Sequence, residues 1–259
     1  KGAIRAHGER IVRTVGGESF GSAKIWANDP LNDPRSYLPK DAPGIYKASC
    51  FTDQLFGSTE IASRFRVEDA YPVGKVQVEE RNGVAIDRVF GSVAHGPFDF
   101  QVCTGGEFKT KIHLKNFTLA QLGLIGLVLR DLDEGWFSLG FGKSRGLGLV
   151  SVSLEKATVA YPSCTRSESS EKFHVLGKAE QSWPSQTLLG AGEFLTRDEA
   201  TTYGFSTQDR QTDDAVDVQP MNLGFGVEQV WEGPKRVKAL FGLAVQSWGD
   251  DVLSGGVAA

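Results

Sequence analysis

Hydrophobic and polar positions divide the chain into helical-period, alternating and patternless stretches. Ile4, Ile11, Val12 and Val15 share one face at helical spacing, with Lys1, Arg5, Arg10 and Arg13 around the rest. This predicts a helix over 1–15, ended by Gly16-Gly17. A second helix is expected over 118–132, where Leu119, Leu122, Ile125, Gly126, Leu129 and Leu132 form an apolar stripe suited to packing on a sheet. Gly123 and Gly126 would allow close approach there, at some cost in helix propensity. Alternation predicts a strand over 63–70 and β-rich runs over 73–78 and 84–89, with Asn82-Gly83 as a hairpin turn. A further strand pair is expected over 98–104 and 108–114, joined by Gly105-Gly106. Strands over 136–141 and 147–159 would flank a glycine-rich loop. Residues 28–44 are dense in Pro, Asp and Asn and read as a surface loop. Beyond Tyr161 the signal weakens: 165–172 reads as a linker, 207–217 as an exposed polar loop, 240–248 as either strand or helix, and the last residues as frayed.

The order of these elements predicts an α+β, ferredoxin-like (RRM-like) antiparallel sheet with helices on one face. It carries a β-hairpin insertion and a C-terminal extension, divided into residues 1–162 and 163–259. A strand is expected before the first helix, so a segment upstream of residue 1 is anticipated. The single methionine, Met221, agrees with a processed product or one part of a longer polypeptide.

Composition is ordinary for a globular chain of 259 residues, 40% hydrophobic and 23% charged. A net charge of −4 excludes an overall basic coat but leaves room for a local basic groove. No apolar run is long enough to cross a membrane, and the polar opening does not resemble a signal peptide. Cys50, Cys103 and Cys164 are odd in number and widely spaced, which argues against a disulfide framework and for a reducing, cytoplasmic setting. His7, His95, His113 and His174 lack metal-ligand spacing, and no metal site is expected from the cysteines or histidines.

The stretch "GWFSLGFGKSRGLGLVSV" carries the candidate chemistry. Lys143, Ser144 and Arg145 lie among Gly140, Gly142, Gly146 and Gly148. A mononucleotide-binding loop would need a glycine at position 137 and a following helix, and a dinucleotide fingerprint needs the same strand-to-helix context. Position 137 is Phe, and a strand rather than a helix is expected next. Two readings stay open on the residues alone. One is a plain turn built on positive-φ glycines. The other is an RNA-backbone contact, in which side-chain-free glycines let phosphates approach main-chain N–H groups while Lys143, Arg145 and Ser144 add charge and a hydroxyl.

Five segments in order resemble the RAMP superfamily, the repeat-associated proteins that form backbone subunits of type III CRISPR effector complexes. "GFGKSRGLGLVSV" is similar to that family's C-terminal glycine-rich loop and "KGAIRAHGERIVR" to its first-helix entrance. "CFTDQLFGS", "RFRVEDA" and "VAIDRVFGSVAHGPFDFQV" resemble the intervening elements, so the likeness covers about residues 1–162. The resemblance implies binding of CRISPR RNA, pairing of that guide with target RNA, and stacking against neighbouring RAMP and other effector subunits. It implies RNA contacts at Lys1, Arg5, Gly142, Lys143, Ser144, Arg145 and Gly146, and a thumb hairpin within 72–96 that separates nucleotides. Some relatives cut target RNA with an Asp and Mg²⁺, and a nuclease or precursor-processing role is the first alternative. The catalytic residue is not identifiable here: the relatives' Asp precedes the first helix. Asp29, Asp33 and Asp41 lie in the surface loop and read first as turn-forming, solvated residues, with Mg²⁺ ligation as the alternative. RNA binding itself is expected to need no cofactor.

Other residues carry paired readings. His95, expected at the foot of the thumb, is an acid–base candidate or a packing residue. Phe56-Gly57 and Phe98 read as core. Trp183, Trp231 and Trp248 are stacking candidates or core. Glu79, Glu80, Arg81, Asp87 and Arg88 read as a solvated face, with the two arginines available to phosphates. A structural module touching only protein is the second alternative.

Overall fold

The computed structural model of the chain describes residues 1–16, 25–29, 31, 38–166 and 171–255. Three helices come first: α1 (Gly2–Val15), α2 (Ala42–Ala48) and α3 (Phe51–Phe56). α1 follows its predicted bounds, but its buried face is Ile4, His7, Gly8 and Val12, while Val15 is exposed. Gly8 lets neighbours close in: a Cβ there would lie 3.4 Å from the Phe56 ring and 3.6 Å from Val128. Gly16 ends the helix because the carbonyl of Ile25 occupies the space a side chain would need. Asp41, at the end of the predicted loop, is the N-cap of α2 and accepts from Gly44 N at 2.9 Å.

The middle of the chain holds β1 (Phe65–Val67), β2 (Tyr71–Pro72), β3 (Gln77–Ile86), β4 (Val93–Gly105), β5 (Phe108–Lys109) and β6 (Ile112–Leu114). β1 pairs with β6, β2 with β5, and β3 with β4. Residues 66–113 form one compact unit, and 1–65 with 114–259 form the other. The compact units therefore divide differently from 1–162 and 163–259. Instead of two short hairpins, one long one forms. β3 runs straight through Asn82-Gly83, and the turn comes at Asp87–Gly91. Two observations explain the shift. Gly83 sits opposite Phe98 at a register irregularity, where a Cβ would come within 2.7 Å of the Phe98 ring. Asp87 caps the real turn, accepting from Val89 N and Phe90 N at 2.8 Å each, with Gly91 at φ 66°.

The chain then continues through α4 (Leu119–Asp133), β7 (Lys156–Tyr161), β8 (Cys164–Arg166), β9 (Lys172–Val175), β10 (Lys178–Pro184) and β11 (Thr187–Leu189). It ends with α5 (Arg197–Tyr203), β12 (Arg210–Thr212), β13 (Asp217–Pro220), β14 (Val227–Glu232) and α6 (Pro234–Gly255). α4 starts at a capping box between Thr118 and Gln121, and Asp209 Oδ1 accepts from Leu119 N at 2.9 Å. Its glycines do permit close approach, but to a helix as well as the core. A Cβ on Gly123 would lie 2.4 Å from Ala244 O, and one on Gly126 2.7 Å from Phe241, both in α6. β7 pairs with β14, which pairs with β13, and β8–β10 form a second antiparallel sheet.

The residues after 162 are thus integral to this unit's core. Trp231, Phe173, Leu188 and Leu240 are almost fully buried beside Leu119, Leu122 and Tyr161. Each large apolar side chain removed from water there contributes roughly 1.5–3 kcal/mol. Trp183, Trp231 and Trp248 are core residues rather than stacking surfaces. The stretch 207–217 is not a plain exposed loop: Asp209 and Val216 are buried, and Asp213 accepts from Trp231 Nε1 at 2.7 Å. The ambiguous 240–248 stretch lies within α6. The architecture is mixed α+β with small antiparallel sheets, and no helix among the described residues is long and apolar enough to cross a membrane.

Candidate nucleic-acid interface

The glycine-rich segment departs from the chain at the end of α4. Gly135, at φ 77°, turns it, and Trp136 N donates to Asp131 O at 2.9 Å. Phe137 then folds inward, its ring 4.3 Å from that of His7 and nearly parallel to it. The predicted strand over 136–141 does not form, and β7 begins only at Lys156 instead of 147. The reason is backbone conformation: Gly135, Gly140, Gly142, Gly146 and Gly148 all take left-handed φ between 71° and 81°, which a regular ladder cannot accommodate. One cross-bond, Leu139 N to Gly148 O at 2.8 Å, closes the base of the loop.

At the tip, Lys143–Arg145 form a single 3₁₀ turn between left-handed Gly142 and Gly146. Arg145 N donates to Gly142 O at 2.8 Å, so the turn is internally braced. Lys143, Ser144 and Arg145 are all exposed, with the Arg145 guanidinium carbon 5.8 Å from the Phe141 ring centre. Residues 135–154 contain these two cations and no acidic residue. The positive charge is therefore undiluted in sequence and projects into solvent, an arrangement suited to an anion of extended shape. The turn is too short to supply a helix dipole, consistent with the exclusion of nucleotide-binding loops.

Five of the seven residues implicated at the outset thus share one turn: Gly142, Lys143, Ser144, Arg145 and Gly146. Lys1 and Arg5 lie elsewhere, on the first turns of α1. Lys1 Nζ donates to Ser63 Oγ at 2.6 Å, and its pKa is lowered by burial and by the charge of Arg5. Arg5 is held by Asp53 at 2.8 Å, Glu9 at 2.7 Å and the Gly57 carbonyl at 2.6 Å. Burial pulls its pKa down, but the hydrogen bonds and charges of Glu9 and Asp53 outweigh that and hold it above its ordinary value.

The link between α1 and the loop is made instead by His7, which the sequence reading passed over. His7 Nε2 lies 2.7 Å from Asp131 Oδ2, and both side chains are buried. A carboxylate can only accept, so Nε2 carries the proton. Arg130 binds the other oxygen of Asp131, at 2.7 and 2.9 Å, while His7 Nδ1 is buried without a hydrogen-bond partner among the described residues. A signal was present, since His7 sits three residues after Ile4 and four before Ile11 on the apolar face of α1.

The remaining candidates are dispersed. Asp29 accepts from Leu31 N at 3.0 Å, Asp41 caps α2, and Asp33 lies outside the described residues. No cluster of three or more His, Cys, Asp or Glu side chains suited to a metal ion occurs among the described residues. His95 is on β4, opposite Ala85 and close to the hairpin turn, not at its foot. It is exposed, as is Phe98, whereas Phe56 is buried as expected. Arg81 pairs with Glu79 at 2.8 Å on an exposed face.

Against known proteins, the family model described as the RAMP superfamily matches residues 1–151. No curated protein matches the chain.

Proposed function

The chain belongs to the RAMP superfamily, and from that premise we propose that it is a backbone subunit of a type III CRISPR effector complex, holding guide and target RNA. Membership carries a CRISPR-associated, RNA-binding role at the level of the family, within ribonucleoprotein complexes of RNA and other subunits. The finer assignment is supported chiefly by one feature, the braced cationic turn from Gly142 to Gly146. Its exposed Lys143 and Arg145 would meet phosphates, and Ser144 would donate to phosphate or ribose oxygens. Such contacts hold a strand without reading its sequence, leaving target choice to base pairing with the guide.

In this reading the exposed β3–β4 hairpin is the thumb, and the sheet and helices correspond to a ferredoxin-like core. Retention of RNA requires no metal. The test is RNA binding by the Lys143→Ala/Arg145→Ala double variant across a salt series. Loss of two phosphate contacts on a single strand should shrink the slope of log affinity against log salt by about 1.4. An unchanged slope and affinity would refute the assignment of this turn.

A further inference from the structure

We propose that the loop grips a nucleobase as well as the RNA backbone. Phe141, with Arg145 beside its ring, is a stacking platform for an unstacked base of single-stranded RNA, and Trp136 adds a second aromatic surface in the same loop. This deepens the RNA reading of the loop and rests on it.

The first observation is the distribution of tryptophan. Of the five in the chain, Trp26, Trp183, Trp231 and Trp248 are at most 6% exposed, whereas Trp136 is 68% exposed. Its neighbour Phe137 stacks inward on His7, while Trp136 itself is left facing solvent. Phe141, in the same loop, is 71% exposed. Leaving Trp136 in water forgoes burial that the chain's four other tryptophans have.

The second observation is the company they keep. Arg145 lies 5.8 Å from the Phe141 ring centre, within cation–π range. The only charged residues across 135–154 are Lys143 and Arg145. The core of a protein–protein patch is depleted in lysine. Aromatic faces among cations that no acidic residue in the segment offsets match a polyanion that also offers flat π surfaces, which is single-stranded RNA. Duplex RNA buries those surfaces within its own stack. The Arg145–Gly142 and Leu139–Gly148 backbone hydrogen bonds brace the loop before RNA arrives, which lowers the ordering cost of binding.

The test compares an oligouridylate with a ribose-phosphate oligomer of equal length lacking bases, using the full chain. The wild type should bind the oligouridylate about tenfold more tightly, and the exposed Trp136 emission should be quenched by it but not by the abasic oligomer. Phe141→Leu, which keeps the loop's charge, should abolish that preference without changing abasic binding, and Phe141→Tyr should restore it. Equal affinity for the two oligomers in the wild type, or an undiminished preference in Phe141→Leu, would overturn the inference. If the Lys143→Ala/Arg145→Ala variant still weakened both oligomers, the backbone reading would stand alone. If neither set of variants altered binding, the RNA reading of the loop would fall as well. Tight capture of a protein subunit through Phe141, with no oligomer preference, would also overturn it.

Discussion

His7 and Asp131 stand 124 positions apart in sequence, yet their side chains meet in a buried hydrogen bond of 2.7 Å at the root of the glycine-rich loop. Phe137 stacks on the histidine, and Arg130 clamps the far oxygen of the carboxylate. The first helix thereby positions the loop without contributing to its charged tip.

Removing the hydrogen bond while keeping the ring tests this. His7→Phe retains a flat side chain against Phe137 but leaves Asp131 with one fewer partner. A cost of about 1–3 kcal/mol is expected for a buried acceptor left short. In a chain of this size that corresponds to about 2–4 °C in melting temperature per kcal/mol. A melting curve superimposable on the wild type would show that the pair does not support the fold.

Two glycines of the loop separate backbone strain from steric exclusion. Gly140 and Gly148 both have left-handed φ, at 78° and 81°. A Cβ on Gly140 would meet nothing within 4 Å, whereas on Gly148 it would meet Leu139 O at 1.8 Å. Gly140→Ala should cost only about 1–2 kcal/mol and preserve RNA affinity. Gly148→Ala must break the Leu139–Gly148 closure and should lose RNA binding to the same extent as Lys143→Ala/Arg145→Ala. Equal effects of the two substitutions on RNA affinity would show that the loop's preset shape is irrelevant.

Asp209 makes stability depend on pH in an unusual direction for a carboxylate. Burial pushes its pKa up to about 6, although backbone N–H groups of Leu119 and Gly192 pull the other way. The folded state therefore prefers the protonated form. Its stabilising contribution is complete below about pH 4 and is lost as pH rises through about 6, by up to about 3 kcal/mol. Asp209→Asn cannot titrate. Between pH 4 and 7 its urea midpoint should fall less than that of the wild type, and parallel curves would contradict the assignment.

Metal removal addresses the binding reaction itself. RNA affinity in EDTA should equal that in Mg²⁺ at matched ionic strength, because the charge that meets phosphate comes from Lys143 and Arg145. A large loss in EDTA would place a cation in the interface.

Local pattern was enough to define α1 and α4, because each carries its own apolar face and its own terminal signals. It also marked the residues of the cationic turn, since glycines around Lys143-Ser144-Arg145 admit the left-handed conformations that a tight turn needs. Wherever a residue's partner is distant in sequence, the same pattern misled. Asn82-Gly83 has the composition of a hairpin turn, but its glycine serves the ring of Phe98 across the strand, and Asp87 caps the turn instead. The stretch 136–141 alternates like a strand, yet left-handed glycines on both sides deny it a ladder.

The sequence by itself determined α1 and α4, the family and the chemistry of the loop tip, all of which follow from neighbours within a turn or two of chain. Tertiary structure alone decided that β7 pairs with β14, about seventy residues later, and that α4 packs on α6. It alone decided that Arg5 is spent on Asp53 and Glu9, and that His7 rather than Arg5 ties the first helix to the loop. Those choices depend on which buried surfaces fit together and which buried charges find partners, and neither is a property of any short segment.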